Sequence, residues 1–579
     1  VSGNISCNYN HFVLNNISTS SQTNFMYNAN SATYEEFVGN MFRSDTISSN
    51  GPVYVIYSSN GTQNKLIAQN SLYFLKRTST SGNIYGYYNL GSPSTGLETI
   101  RDNEFAFIQL AGSSSFYGIR TYTTSTHNKS IVQNRIHHIS MGTGSFYGIY
   151  PQSANTCVVD SNEIYDISLS GTFYGYYCSS ITSGYTRNNK LYNINADGAQ
   201  SYGYYLSGGT DHQIAQNVVK TIETTNTNPT LVGMYINGPA QIVNNYISEL
   251  YAPYVTSNTN AIRGIEIGSS ASNVQLFFNT VYLDAKAMTA TDFGTSALYA
   301  NTAPNIELKN NIFINQSLPA GTGYAVAYQR NNTTITSYSP SSNNNIFFAD
   351  TSAGNPNCLI FFDGTNSFRD FDMFKAFVSP REWNSYLENV PFVNVSTTPY
   401  DLHVDPTVPT FAESGGIPIT GWNKDFDNEN RDASSPDIGA DEFSGTPRYT
   451  CTTPSVEVTN ASSTNICYGD VVNLFITPTS GSGVTYQWQS SYDGSNFVDI
   501  PGQNNYFMNI SPTEPTYYRV RTICKAGPDT VYSIPAFIDF NSAVLAVQGD
   551  TICGPQTATL QALGSPGTTI AWFATPTGG

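Results

Sequence analysis

Aliphatic residues recur at fixed distances from an asparagine through much of this chain. They stand two and five places after it, as Ile136 and Ile139 after Asn134, Ile164 and Ile167 after Asn162, Leu191 and Ile194 after Asn189, Val219 and Ile222 after Asn217, and Ile247 and Leu250 after Asn245. A third apolar residue usually falls three places before it, at Ile131, Val159, Ile214, Ile242, Leu276 and Leu308. Short alternating runs broken by polar turns predict strands; a helix would need an apolar stripe at spacings of three and four over ten or more residues. The asparagines at 103, 134, 162, 189, 217, 245, 279 and 311 are separated by 31, 28, 27, 28, 28, 34 and 32 residues. The first six of the seven intervals carry another strand centred on glycine: FYGIR, FYGIY, FYGYY, SYGYY, LVGMY and IRGIE around Gly118, Gly148, Gly175, Gly203, Gly233 and Gly264.

A repeat of this length holds one coil of a parallel β-solenoid, three short strands and their turns, and stacking the coils buries the aliphatic rows. Weaker copies at Asn10, Asn40, Asn70 and Asn345 extend the count to about twelve coils. The asparagines are expected to stack at one corner, where their side chains bond one another and the turn backbone. Around the glycine, the residues one before, one after and three after are mostly apolar, as at Tyr174, Tyr176 and Cys178. Read as inward, they leave the residue two after the glycine facing out. That outward row contains Tyr88, Arg120, Tyr150, Tyr177, Tyr205, Tyr235 and Glu266, and its tyrosines are the candidate binding face. Cys157 and Cys178 fall at different phases and are expected to pack singly.

The repeat loses its phase after Asn345, and an irregular closing region is expected over about 349–443. It holds the best helix candidate, 368–387, then DLHV at 401–404 and DFDNENRDASSPDIGADEF at 425–443. That last stretch resembles the final coils of a large class of secreted bacterial right-handed β-helix proteins, which carry D-x-D-G-x-x-R followed by D-I-G-A-x-E. Here Asp425, Asp427, Arg431, Asp437, Ile438, Gly439, Ala440 and Glu442 match, while Asn428 replaces the glycine. The resemblance covers roughly residues 40–443; it implies a right-handed parallel β-helix over 1–443 and leaves activity open, because the class mixes surface proteins with enzymes.

After a linker at 444–453, residues 454–541 place Cys467, then Trp488, then an alternating strand ending at Cys524. This resembles an immunoglobulin-like sandwich and implies a Cys467–Cys524 disulfide against Trp488, formed in an oxidising compartment. The pattern restarts at 542–579 with Cys553 and Trp572, so a second such module is expected to begin there and the polypeptide to continue past Gly579. A chain starting at Val1 is expected to be a processed protein or an excised piece. A β-helix followed by Ig-like modules resembles the surface proteins that the Bacteroidetes export by the type IX system. In that group an Asp-Ser/Thr-aliphatic triplet resembles an O-glycosylation site, which points to Thr46, Thr530 and Thr551.

Composition narrows the partners. Charged residues are 11% and aromatic residues 13%, with 41 Tyr, so surface contacts must come from Tyr, Asn, Ser and Thr. A formal charge of -17 disfavours nucleic acid and anionic membranes. No run of 18 apolar residues is present to span a bilayer. The repeat faces carry no paired aspartates, no Gly-His-Gly and no Arg-x-Lys, and no catalytic residue is assigned. His137 and His138, adjacent in one strand, are expected on opposite faces. Asp425, Asp427, Glu429 and Asp432 offer oxygen ligands spaced like the start of an EF-hand, although Asn430 and Pro436 stand where glycine and glutamate are required. Calcium is thus the one cofactor considered, with pairing to Arg431 as the competing reading. The function expected is a non-catalytic extracellular adhesin or surface fibre that meets a glycan, a cell-surface protein or further copies of itself. The alternatives are a polysaccharide lyase or glycoside hydrolase, and a filament subunit.

Overall fold

The computed structural model describes residues 3–14, 16–18, 20–91, 93, 95–123, 126–301, 305–351, 354–467, 469–479, 481, 483–527, 529–540, 544–564 and 569–574. The chain divides into two compact units, Val1–Pro447 and Arg448–Gly579.

The first unit is all-β apart from one short helix and a 3-10 turn, with a solenoid of about twelve turns over residues 4–362. Each turn contributes a strand to each of three parallel ladders. The first ladder contains Leu97–Arg101 and Asn128–Val132, the second Glu104–Leu110 and Arg135–Met141, and the third Ile84–Asn89 and Phe116–Tyr122. The asparagine marks the corner between the first and second ladders. Asn162 donates from Nδ2 to Asn189 Oδ1 at 2.9 Å and to Ile131 O at 2.9 Å, and its backbone N–H reaches the same Oδ1. The Nδ2-to-Oδ1 chain runs unbroken from Asn10 to Asn345. The residue before each of these asparagines is left-handed, with φ of 54–58° from Gln69 to Asn344. Such a corner turns backbone groups inward that no strand can pair, and the buried amide satisfies them.

The aliphatic rows fill the interior as expected; Ile136, Ile164, Leu191, Val219 and Ile247 are buried. Cys157 and Cys178 are buried and unpaired. Around the glycine the structure departs from simple alternation. Pairing skips Gly175, so Phe173, Gly175 and Tyr176 face the interior while Tyr174 faces out. A Cβ on Gly175 would lie 2.0 Å from Leu191 Cδ1 and 2.7 Å from Gly203 O, which is why this bend requires glycine. The inward reading of the residue before the glycine is therefore corrected: that position forms a second outward tyrosine row. His137 and His138 also share one surface, because His138 is left-handed (φ 53°) and its Nδ1 lies 2.8 Å from that of His137.

One interior column of the first ladder is charged. Register aligns Glu35, Lys65, Glu98 and Lys129 in successive turns, all buried. Lys65 Nζ lies 3.1 Å from Glu35, and Glu98 accepts from Tyr87, Asn89 and Thr121. Burial alone would raise the Glu98 carboxyl, but Lys129 and Lys65 together with these donors hold it below its ordinary value. Burial lowers Lys129 to about 8 against the pull of Glu98. Beyond Lys129 the column becomes Cys157, Gly184, His212, Ala240, Val274 and Ile306.

The helix is shorter than the sequence suggests, Phe371–Val378, capped by Asp370 and ended by Ser379-Pro380, where the ring forbids continuation. After it, Tyr386–Leu387 adds a last strand to the second ladder, and residues 388–443 form a strap along the outside of the later turns. Asn244 and Asn310 of the left-handed corner row bond Lys424 O and Ile417, and Ala412, Ile438 and Ala440 pack on Tyr246, Tyr282, Ile312 and Ile346.

The second unit holds two small sheets around Trp488, Ile466, Val472, Leu474, Val520 and Ile538. Its disulfide joins Cys451 to Cys524, and Cys467 is exposed and unpaired. The expected Cys467–Cys524 bond is thus overturned. Cys524 opposes Val484 at the end of its strand, where the turn at Gly481 packs against the Cys451 backbone. Cys467 instead follows a two-residue strand and enters a turn, its N–H bonded to Asp470. Residues 448–453, expected as linker, consequently belong to this unit. Residues 544–548 and 561–564 form one antiparallel pair, with Cys553 and Trp572 exposed.

Candidate functional site

Two surfaces of the solenoid carry chemistry. The first is the tyrosine wall on the third ladder. The predicted row, Tyr88, Tyr150, Tyr177, Tyr205 and Tyr235, faces outward and is half-buried, extended by Tyr27 and Tyr57. Beside it run Tyr54, Tyr85, Tyr117, Tyr147, Tyr174 and Tyr202, stacked at 4.6–5.3 Å with ring planes within 11° of parallel. Tyr177, Tyr205 and Tyr235 stack on each other at 4.7 Å. Arg120 fills its place in the row by lying over Tyr88, Tyr117 and Tyr150. Much of the ring-face area is consumed by neighbouring rings, so what the wall offers outward is mainly edges and hydroxyls. Burial and the neighbouring phenols push the Tyr117 and Tyr147 hydroxyls up to about 12, so they remain hydrogen-bond donors at neutral pH.

The second surface was not singled out by sequence. A cleft of about 820 Å³ opens where the edge of the strap meets the outer face of the second ladder. Glu163, Lys190, Tyr192 and Lys220 form one wall, and Tyr400, Asp401, His403 and Phe426 the other. Lys220 donates to Tyr400 O, while Tyr400 bonds Asp284 through its hydroxyl (2.6 Å) and Glu249 through its N–H (3.1 Å), fixing the strap to the turns. His403 bonds Asp401 through Nδ1 and Asp427 through Nε2 at 2.8 Å. Burial opposes a charge on this imidazole, but the two carboxylates raise it to about 9. Burial lifts the nearby Asp441 carboxyl to about 6.

The structure does not gather Asp425, Asp427, Glu429 and Asp432 into one ligand set. Asp425 is buried and accepts the N–H groups of Glu429 and Glu442, and Asp432 caps the turn at Ser434 and Ser435. Glu429 is exposed, and only Asp427 of the four turns toward the cleft residues. Arg431 reaches Glu442 Oε2 at 3.2 Å, donates to Gly439 O and Asn244 Oδ1, and lies 3.9 Å from the Phe278 ring centroid. This arginine ties the acidic stretch to the solenoid corner. Of the threonines in the glycosylation triplets, Thr530 and Thr551 are exposed and Thr46 is half-buried.

A legible signal for the cleft did exist. The outward register column of the second ladder reads Glu104, Arg135, Glu163, Lys190 and then Val218, Tyr246, Thr280, Ile312, Ile346. The change from charged to mainly apolar marks where the strap begins to cover the face, and the cleft lies at that step.

Residues 456–542 match the family described as Domain of unknown function (DUF8696). The match covers the two sheets packed around Trp488 in the second unit and none of the solenoid. A comparison with curated proteins found no match. Among the described residues, no helix is long and apolar enough to cross a membrane.

Proposed function

We propose that this is a non-catalytic extracellular recognition protein of adhesin or surface-fibre type, a right-handed β-solenoid head followed by Ig-like modules. The observation that carries this reading is the tyrosine wall, two residues wide over successive turns, crossed by charge at Arg120 and ended by Arg263 and Glu266. Uncharged rows of hydroxyls and ring edges suit a glycan or a protein partner. A disulfide in the second unit supports an oxidising, extracellular setting, in keeping with the likeness to exported Bacteroidetes surface proteins. Replacing Tyr177 and Tyr205 together by alanine should weaken cell-surface or glycan-array binding by about 1–3 kcal/mol while the solenoid stays folded. Undiminished binding by a folded double variant would sink the reading.

A carbohydrate-active enzyme is the second reading, favoured by the cleft, where Glu163, Asp401 and His403 stand beside Tyr192 and Lys190. Release of reducing ends from a polysaccharide that vanishes in Glu163→Gln would promote it to first place.

A further inference from the structure

His403, Asp427 and Asp441 bring one ligand atom each to within 4.8 Å of one another, although they come from three separate segments. His403 lies on the strand Asp401–Val404. Asp427 projects from a turn closed by the Lys424–Asn430 bridge, with Asn428 left-handed at φ 68°. Asp441 follows the Gly439-Ala440 pair that docks on Asn310 and Thr280. Ligand atoms about 2.0–2.2 Å from a shared ion lie roughly 3–4.4 Å apart, so small side-chain movements suffice to close this set. Asp401 holds His403 Nδ1 and thereby aims Nε2 at the two aspartates, as the outer carboxylate of a metal-bound histidine does. Asp441 spends Oδ2 on the Val404 N–H, an interaction that sets the carboxylate's orientation.

An independent observation points to a missing occupant. The Tyr246 hydroxyl is buried and has no hydrogen-bond partner, which is costly for a phenol unless something fills the gap. Its ring packs against His403 at 5.5 Å and Phe426 at 4.5 Å, and the charges that bear on it are the carboxylates of Asp441, Asp427 and Asp425, with Arg431 acting in the opposite sense. A water bound to an ion beside these carboxylates would give that hydroxyl its partner.

We propose that His403 Nε2, Asp427 and Asp441 bind one divalent first-row transition ion such as Zn2+ or Mn2+, with Asp401 as positioning residue and an open coordination place toward Tyr246 and the cleft. One imidazole with two carboxylates suits these ions better than calcium, which takes oxygen ligands. The site differs from the calcium arrangement suggested by the spacing of Asp425, Asp427, Glu429 and Asp432, sharing only Asp427 with it. It does not depend on the proposed function, since the readout is the metal itself.

The test is equilibrium dialysis of the whole chain against Zn2+ in excess Ca2+, followed by elemental analysis, with Co2+ as a spectroscopic probe. The expected result is one Zn2+ per chain, lost in His403→Gln and Asp441→Asn, weakened about 10–100-fold in Asp401→Asn, and unchanged in Glu429→Gln and Asp432→Asn. Near-UV circular dichroism checks that each variant is folded. Should the ligand variants unfold, the unaltered chain decides: intense visible Co2+ bands of a four- or five-coordinate site support the proposal, and the weak spectrum of hydrated Co2+ overturns it. Zn2+ retention that survives both ligand substitutions in folded protein also overturns it, as does binding that excess Ca2+ abolishes.

Discussion

The early and late turns of the solenoid share one repeat but stabilise it differently. In the early turns two columns alternate in charge, Glu35, Lys65, Glu98 and Lys129 inside the rod and Glu104, Arg135, Glu163 and Lys190 on its outer face. In the late turns both columns become mainly apolar, ending in Val274 and Ile306 inside and in Ile312 and Ile346 outside. The strap explains the outer change, because it buries that face. The inner change shows that the repeat tolerates either solution in its core, provided that charges come in matched, hydrogen-bonded order. A parallel ladder places identical positions about 4.8 Å apart, so alternating signs attract and a run of one sign would repel. Burial then decides what breaking the same pattern costs: much inside, where a lone charge is left desolvated, and little outside.

The sharpest way to break this comparison is to remove one inner charge. Lys65→Ala leaves Glu35 and Glu98 buried beside an empty place and should cost about 3–5 kcal/mol in denaturant unfolding of the solenoid. A loss under about 1 kcal/mol would mean that water reaches the column and that the inner and outer columns are equivalent.

Next comes the corner that both halves share. Asn189→Ala removes the acceptor of the Asn162 N–H and the donor to Val159 O, and each buried group left unpaired should cost about 1–3 kcal/mol. The same substitution at Asn279 in the late turns should cost a similar amount; a large difference would show that the strap, rather than the ladder, holds the late corner.

The covered half also carries a buried carboxyl that titrates near neutral pH. Glu382 is buried and accepts from Tyr338, Ser385 and Asn345; burial nevertheless lifts its carboxyl to about 7. With a folded value above the unfolded one, its contribution is complete below about 4.5 and declines as pH climbs toward 7. Glu382→Gln does not ionise, so its thermal midpoint relative to the parent should move in the variant's favour from pH 5 to pH 7.5. A constant difference across that range would remove Glu382 as the source.

The smallest effect belongs to the outer column. Lys190 lies 3.9 Å from Glu163 with its side chain more than half exposed, and Lys190→Met should change stability by about 0–1 kcal/mol. Measured beside Lys65→Ala, it gives the contrast between the two columns directly.

The sequence by itself determined the turn count, the asparagine corner, the aliphatic rows and the outward row of Tyr88, Tyr150, Tyr177, Tyr205 and Tyr235. These features rest on contacts between neighbouring turns, so one interaction is written again at every period and becomes visible as a repeat. It also located the Trp488 module, within which 456–542 matches a family. The second tyrosine row escaped because Gly175 and its equivalents bend the strand and break the alternation on which the reading depended. The rest of what only the tertiary structure decided, apart from the buried charged column, was non-periodic. The Cys451–Cys524 bond depends on how an entry segment passes the end of a strand, and cysteine spacing does not encode that path. The cleft joins Glu163 and Lys190 to Asp401 and His403, more than two hundred residues later, and His403 meets Asp427 and Asp441 only because the strap folds back on the corner row. Contacts made once, between segments far apart in the chain, leave no period to read.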